Sequence, residues 1–282
     1  PALICGARVF STIAANPALA GTGPNNQPLT PADMTAINQN FTQAFSSILQ
    51  SIHANLSQAD SLALEDRVDL AIVLVQANQI DDVKQQILAC IRTATSRDLR
   101  RLTPDQLYNF LSFMRQLGLL DVRPGLTPFI LTLLTDGQRV QYTLETASTN
   151  FQAGHLTEAA ALLEAAHARA PDSIPALVEL ARFRATAHDA ALRNGPAAVM
   201  LALHAHELDH GEQMDILDVL ACAYAEAGQF ALAETTEKLA LDKVTAILGA
   251  NLSPSDRARM TDASNQYRNR IAAFHNQQPY HQ

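Results

Sequence analysis

The chain has 282 residues, 48% of them hydrophobic and 17% charged, which is enough to bury a sizeable core in one or two domains. Twenty Lys and Arg stand against 28 Asp and Glu, a formal net charge of -8, so the composition argues against nucleic acid or anionic lipid as an electrostatic partner. Aromatics make up only 5%, Trp is absent and much of the apolar fraction is Ala, a composition suited to close-packed helices.

Residues 1–32 differ from the rest. Ala2 to Phe10 is apolar, and Asn16-Pro17 and Gly21 to Pro28 read as extended linker. This predicts an N-terminal arm able to dock on a neighbouring surface. Ala18-Leu19-Ala20 before Gly21 imitates a signal-cleavage site, but Arg8 interrupts the apolar stretch and there is no initiating Met, so the segment reads as part of a fragment or processed chain and leaves the compartment open.

From Thr30-Pro31 the pattern becomes helical, with Met34, Ile37, Phe41, Phe45, Ile48 and Ile52 at spacings of three and four. A second run covers Leu62 to Val75, Asn78 to Asp82 turns the chain, and a third run carries Val83, Ile87, Cys90 and Ile91. Thr103-Pro104-Asp105 opens the next helix and Gly118 ends it. Pro124-Gly125 precedes another, from Leu126 to Leu134. Sustained alternation with period two is absent. The expected fold is all-α, built of antiparallel helix pairs: an arm over 1–32, helical hairpins over 33–135, repeats over 136–252 and a capping helix with tail over 253–282.

Cys5, Cys90 and Cys222 form neither a disulfide framework nor a C-x-x-C zinc pair, and read as free thiols packed like small apolar residues. Uncharged apolar runs all fall short of the roughly 20 residues a membrane span needs, so no direct membrane insertion is predicted.

Self-similarity is the most informative feature. Ala147, Gly154, Ala159 and Ala166 recur with the same spacing as Ala221, Gly228, Ala233 and Ala240. Small residues at such places let two helices approach closely, and the glycine makes the corner. These residues, with Leu220, Tyr224 and Phe230, resemble the tetratricopeptide repeat family, a 34-residue helix-turn-helix unit. Gly154 and Gly228 are 74 residues apart, room for two such units with about six residues over, which fall around His188 to Gly195. The intervening unit would run from Pro175 to Ala187 and from Pro196 to Leu208. The order Ala181-x-Phe183-x-Ala185-Thr186, Leu192-Arg193-Asn194-Gly195, Leu217-Asp218 through Gly228 and a final Pro279-Tyr280 is similar to the C-terminal repeat block of large bacterial proteins of planctomycete and verrucomicrobial type, over about residues 140–282.

That resemblance implies a right-handed α-solenoid, an interaction scaffold without cofactor or catalysis, and a bacterial chain whose export or attachment to an envelope complex is left open. In such relatives the block often follows a membrane-embedded or enzymatic part. It also implies that the first helix of each pair lines the concave face, which by matching positions makes Gln141, Ser148, Gln152, Arg182, Asp215, Asp218 and Glu226 the groove residues for a protein partner. The partner would be another protein or a second copy, reached by the groove or by the arm. On spacing alone, Asp215 and Asp218 share a helix face and read as solvated or capping carboxylates.

One motif points elsewhere. His206-Glu207-Leu208-Asp209-His210 is a literal H-E-x-x-H, which on a helix would place two imidazoles on one face to bind zinc, with Glu207 as general base. Asp209 puts a charge inside it and Gly211 ends the helix directly after it. The segment is also already accounted for as a repeat helix, so a zinc-dependent hydrolase is the second reading. His204 and His188 are the residues that would extend such a cluster. Nucleophile-elbow, P-loop and dinucleotide-binding glycine patterns are absent.

Overall fold

The computed structural model describes residues 47, 62–76, 78–250 and 252–281. The arm over 1–32, Cys5 and, apart from Ser47, the helix expected from Thr30 to Ile52 lie outside the described residues. Among those described there are twelve α-helices, two short 3-10 turns and no strand. The chain divides into two compact units, Pro1–Thr135 and Asp136–Gln282.

In the first unit, α1 (Leu64–Gln76) pairs with α2 (Ile80–Thr93). Asn78 turns the corner at φ 57°, a left-handed conformation Asn tolerates better than most residues. The short α3 (Ser96–Leu99) follows under a capping box in which Thr95 and Asp98 satisfy each other's backbone N–H. Next comes α4 (Pro104–Gln116), capped in the same reciprocal way by Thr103 and Gln106. Gly118 at φ 66° and Gly125 at φ 88° bracket the 3-10 turn that leads to α5 (Leu126–Leu133). Val68, Leu74, Ile87, Ile91, Phe110 and Ile130 are fully buried. Arg123 Nη1 donates to the carbonyls of Ile91 at 3.1 Å and Ala94 at 2.6 Å, covering acceptors left open at the end of α2.

The second unit runs α6 (Asp136–Gln152), α7 (Leu156–Arg169), α8 (Ile174–Thr186), α9 (Gly195–Leu208), α10 (Met214–Glu226), α11 (Phe230–Leu248) and α12 (Pro254–His275). Each helix packs on the next except across the α7–α8 step, where contact is lighter, and α8 also lies against α10. The corner after α6 and the corner after α10 are the same structure. His155 N–H reaches back to Asn150 O and Gly154 N–H to Phe151 O, and Gln229 and Gly228 do the same with Tyr224 and Ala225. Both glycines are left-handed, φ 80° and 75°, which is the geometry that closes a helix with a six-to-one hydrogen bond. Ala181, Ala198, Ala202, Ala205, Ala221 and Ala233 are fully buried, so the helices meet nearly backbone to backbone.

The surplus residues between α8 and α9 form a 3-10 turn, Ala190–Leu192, tied by Asp189 accepting from Ala191 N–H and by Asn194 N–H donating to Arg184 O. Next to it, Gly195 opens α9 against the end of α10. A Cβ there would lie 2.5 Å from Ala227 N and 2.7 Å from Glu226 C, both backbone atoms that cannot swing aside. Gly195→Ala is expected to cost about 1–3 kcal/mol, an overpacking penalty, read as a lower urea midpoint with an unchanged slope. A midpoint equal to wild type would show that the two backbones are not in contact.

Cys90 and Cys222 are buried free thiols. Burial pushes the Cys90 thiol up to about 11 and raises that of Cys222 as well, so neither has reactive thiolate character.

Candidate functional site

A cavity of about 200 Å³ opens between α6, α7 and α8. Its floor is apolar: Leu144, Ala147 and Phe151 from α6, Leu163 from α7 and Phe183 from α8. The Phe151 and Phe183 rings meet edge to face at 6.0 Å, a packing that holds the floor rigid. Its rim is polar, formed by exposed Ser148 and Glu179 and half-buried Arg182. Thr186 completes the lining, its hydroxyl donating back to the Arg182 carbonyl at 2.9 Å.

Of the seven groove residues expected from the sequence, Ser148 and Arg182 line this cavity. Gln141 and Gln152 are exposed on the same helix, Gln141 donating to Glu145 at 3.1 Å. Asp215 is exposed at the start of α10. Glu226 is engaged by the chain itself: Arg193 Nε is 2.9 Å from one oxygen and His281 Nε2 is 2.8 Å from the other.

Asp218 corrects the sequence reading. It does not share a solvated face with Asp215 but is buried at 6% exposure, because α10 is covered on that side by α8, α11 and α12. There it belongs to a cluster that periodicity alone did not reveal. Arg270 Nη2 of α12 lies 2.5 Å from Asp218 Oδ1, and Arg270 Nε lies 2.8 Å from Glu237 Oε1 of α11. Arg182 Nη1 reaches the other Asp218 oxygen at 3.3 Å. The Arg270 guanidinium stacks over Tyr267 at 5.2 Å and Tyr280 at 5.3 Å. Burial pushes the Glu237 carboxyl up to about 8, with the Asp218 charge adding to it and Arg270 opposing. Asp218 is raised too, by burial, against the pull of Arg270 and Arg182. Both carboxyls are thereby biased toward their protonated forms.

A signal for this cluster was present in the sequence. Glu237 stands four residues after Ala233 and three before Ala240, inside a buried stripe, and Arg270 stands between Tyr267 and Phe274 in the same way.

The H-E-x-x-H segment is built differently from a zinc helix. α9 ends at Leu208, Asp209 turns to accept from the Gln213 backbone and side chain at 2.6 Å each, and His210 takes a left-handed φ of 55°. The His206 ring instead packs toward Gly211. The helix therefore stops short of the four-residue span that would put both imidazoles on one face. His204 Nε2 pairs with Asp172 at 3.2 Å, and His188 is exposed on the α8–α9 connection. Among the described residues, no three His, Cys, Asp or Glu side chains converge in an arrangement that could hold a metal ion. Nor is any described helix long and apolar enough to cross a membrane.

Compared with known proteins, the chain matches no protein-family model and no curated protein.

Proposed function

We propose that the chain is a non-enzymatic scaffold of the tetratricopeptide type, a right-handed helical stack that holds an extended segment of a protein partner and contributes to a larger assembly. The observation that carries this reading is the cavity between α6, α7 and α8, whose rigid apolar floor and polar rim are the combination that seats one apolar side chain and orients the backbone beside it. Its volume of about 200 Å³ suits a single leucine- or phenylalanine-sized group. The buried charges next to it are consumed by one another, which leaves shape as the mechanism of recognition.

Ser148 is exposed at the rim, so Ser148→Trp fills the space without touching the core. Peptides selected from a random library on the wild-type chain are expected to share an apolar anchor. Their affinity for Ser148→Trp is expected to fall at least about tenfold, a little over 1 kcal/mol, in a fluorescence-anisotropy titration. Peptides that bind both forms equally would place the interface elsewhere and sink the reading.

A further inference from the structure

The packing of the last helix rests on an arrangement that protein interiors seldom contain. Glu237 is 0% exposed and Asp218 6%, and between them they share the guanidinium of Arg270, itself 6% exposed. Arg182 serves Asp218 alone, leaving Glu237 Oε2 without a fixed donor. With a proton on Glu237, its carboxyl hydrogen-bonds that of Asp218, and the deeply buried trio carries one anion and one cation. Without the proton, two desolvated anions face one desolvated cation, and the sum is unfavourable where water cannot assist.

The three side chains come from three helices. Asp218 is on α10, Glu237 on α11 and Arg270 in the middle of α12, so this cluster joins the final helix to both of its supports. The tail rides on it too, because Tyr280 covers the open face of the same guanidinium. We infer that the α10–α11–α12 interface is a proton-linked latch: a single proton held between Asp218 and Glu237 keeps α12 and the tail seated, and its loss in mild alkali loosens them.

Other charged and titratable groups at this interface do not supply an alternative. From α8 comes Arg182, from α10 Asp215 and Cys222, and from α12 Tyr267. Burial keeps the thiol and the phenol neutral, both raised further by the Asp218 and Glu237 charges. Glu234 with His275 and Glu226 with His281 sit at the exposed margins. The sign follows from Glu237. It keeps its proton up to about pH 8 in the fold but only to its ordinary 4.5 when unfolded. Its contribution is therefore fully present below 4.5 and is lost as pH rises through 8. Release would uncover Leu217, Ala240 and Val244, which Tyr267 of α12 now helps to bury.

Hydrogen exchange on the full chain tests the latch. Exchange over residues 254–281 is divided by exchange over residues 136–186 at about pH 6 and about pH 9, so that the common chemical acceleration cancels. The ratio is expected to rise at least about tenfold in the wild type, equivalent to one pKa unit of coupling, and to stay flat in Glu237→Gln, whose amide mimics the protonated acid. A flat wild-type ratio, or an equal rise in Glu237→Gln, overturns the inference. Should that variant not fold, a carboxyl-carbon NMR titration of wild-type Glu237 decides. An inflection coincident with the rise in exchange supports the latch, and one in the ordinary carboxylate range overturns it.

Discussion

Arg270→Met is expected to remove about 3–5 kcal/mol of stability at neutral pH and distinctly less in acid. The size follows from what is left behind. Methionine matches the arginine stem in length and flexibility, so the packing of the stem itself largely survives. The guanidinium does not, and Asp218 and Glu237 then face each other in a dry interior, their pKa values driven higher still by losing the cation that opposed the shift. Both must bind a proton to stay folded, whereas in the unfolded chain they give theirs up. The penalty is therefore largest above pH 7 and shrinks as pH falls toward the ordinary carboxylate range. Urea denaturation followed by far-ultraviolet circular dichroism at about pH 5 and about pH 8 measures it. A loss that is independent of pH would mean that Arg270 acts by packing and not by charge.

Much of the fold was legible because its corners are made by single residues with one physical job. Asn78, Gly118, Gly154 and Gly228 all sit at left-handed positions where a Cβ is costly or tolerated only in Asn, and each falls where the apolar period breaks. Thr103 and Ser253 precede Pro at N1 and accept from the N–H three residues on, so the starts of α4 and α12 were readable to the residue. The four-residue α3 was not, because one helical turn leaves no periodicity to detect and only the Thr95–Asp98 box marks it. H-E-x-x-H misleads for a related reason. A four-residue spacing means one face only if the helix continues through it, and the left-handed His210 and Gly211 stop it first.

The candidate site divides along the same line. Ser148 and Arg182 follow from repeat register, which is local. The fate of Asp218 depends on Glu237 and Arg270, 19 and 52 positions away, brought together only by how α11 and α12 lie on α10. The spacing of Asp215 and Asp218 alone does not distinguish an outward carboxylate from one that a distant arginine has drawn inward.

Phe274→Ala should cost as much as Arg270→Met, about 3–5 kcal/mol, and for an unrelated reason. The ring is 1% exposed and belongs to one buried cluster with Ala185, Ala198, Ala221, Ala225 and Ala233, drawn from α8, α9, α10 and α11. Its buried neighbours are alanines apart from Cys222, with Val199, Tyr224, Phe230 and Tyr280 packed at the edge of the cluster. Large side chains can swing into a new hole, but alanines have no rotamers to change, and the backbones that carry them are held by Gly195 and Gly228. The cavity left by the ring closes only as far as the edge side chains can move in, which keeps the loss large and independent of pH, in contrast to the arginine variant. Residues 270 and 274 are one turn apart on α12, so combining the two tests whether the helix is a unit. If Arg270→Met already unseats α12, adding Phe274→Ala costs little more. If the double variant loses the full sum, the helix stays docked through either contact alone, and the buried charges are not what holds it.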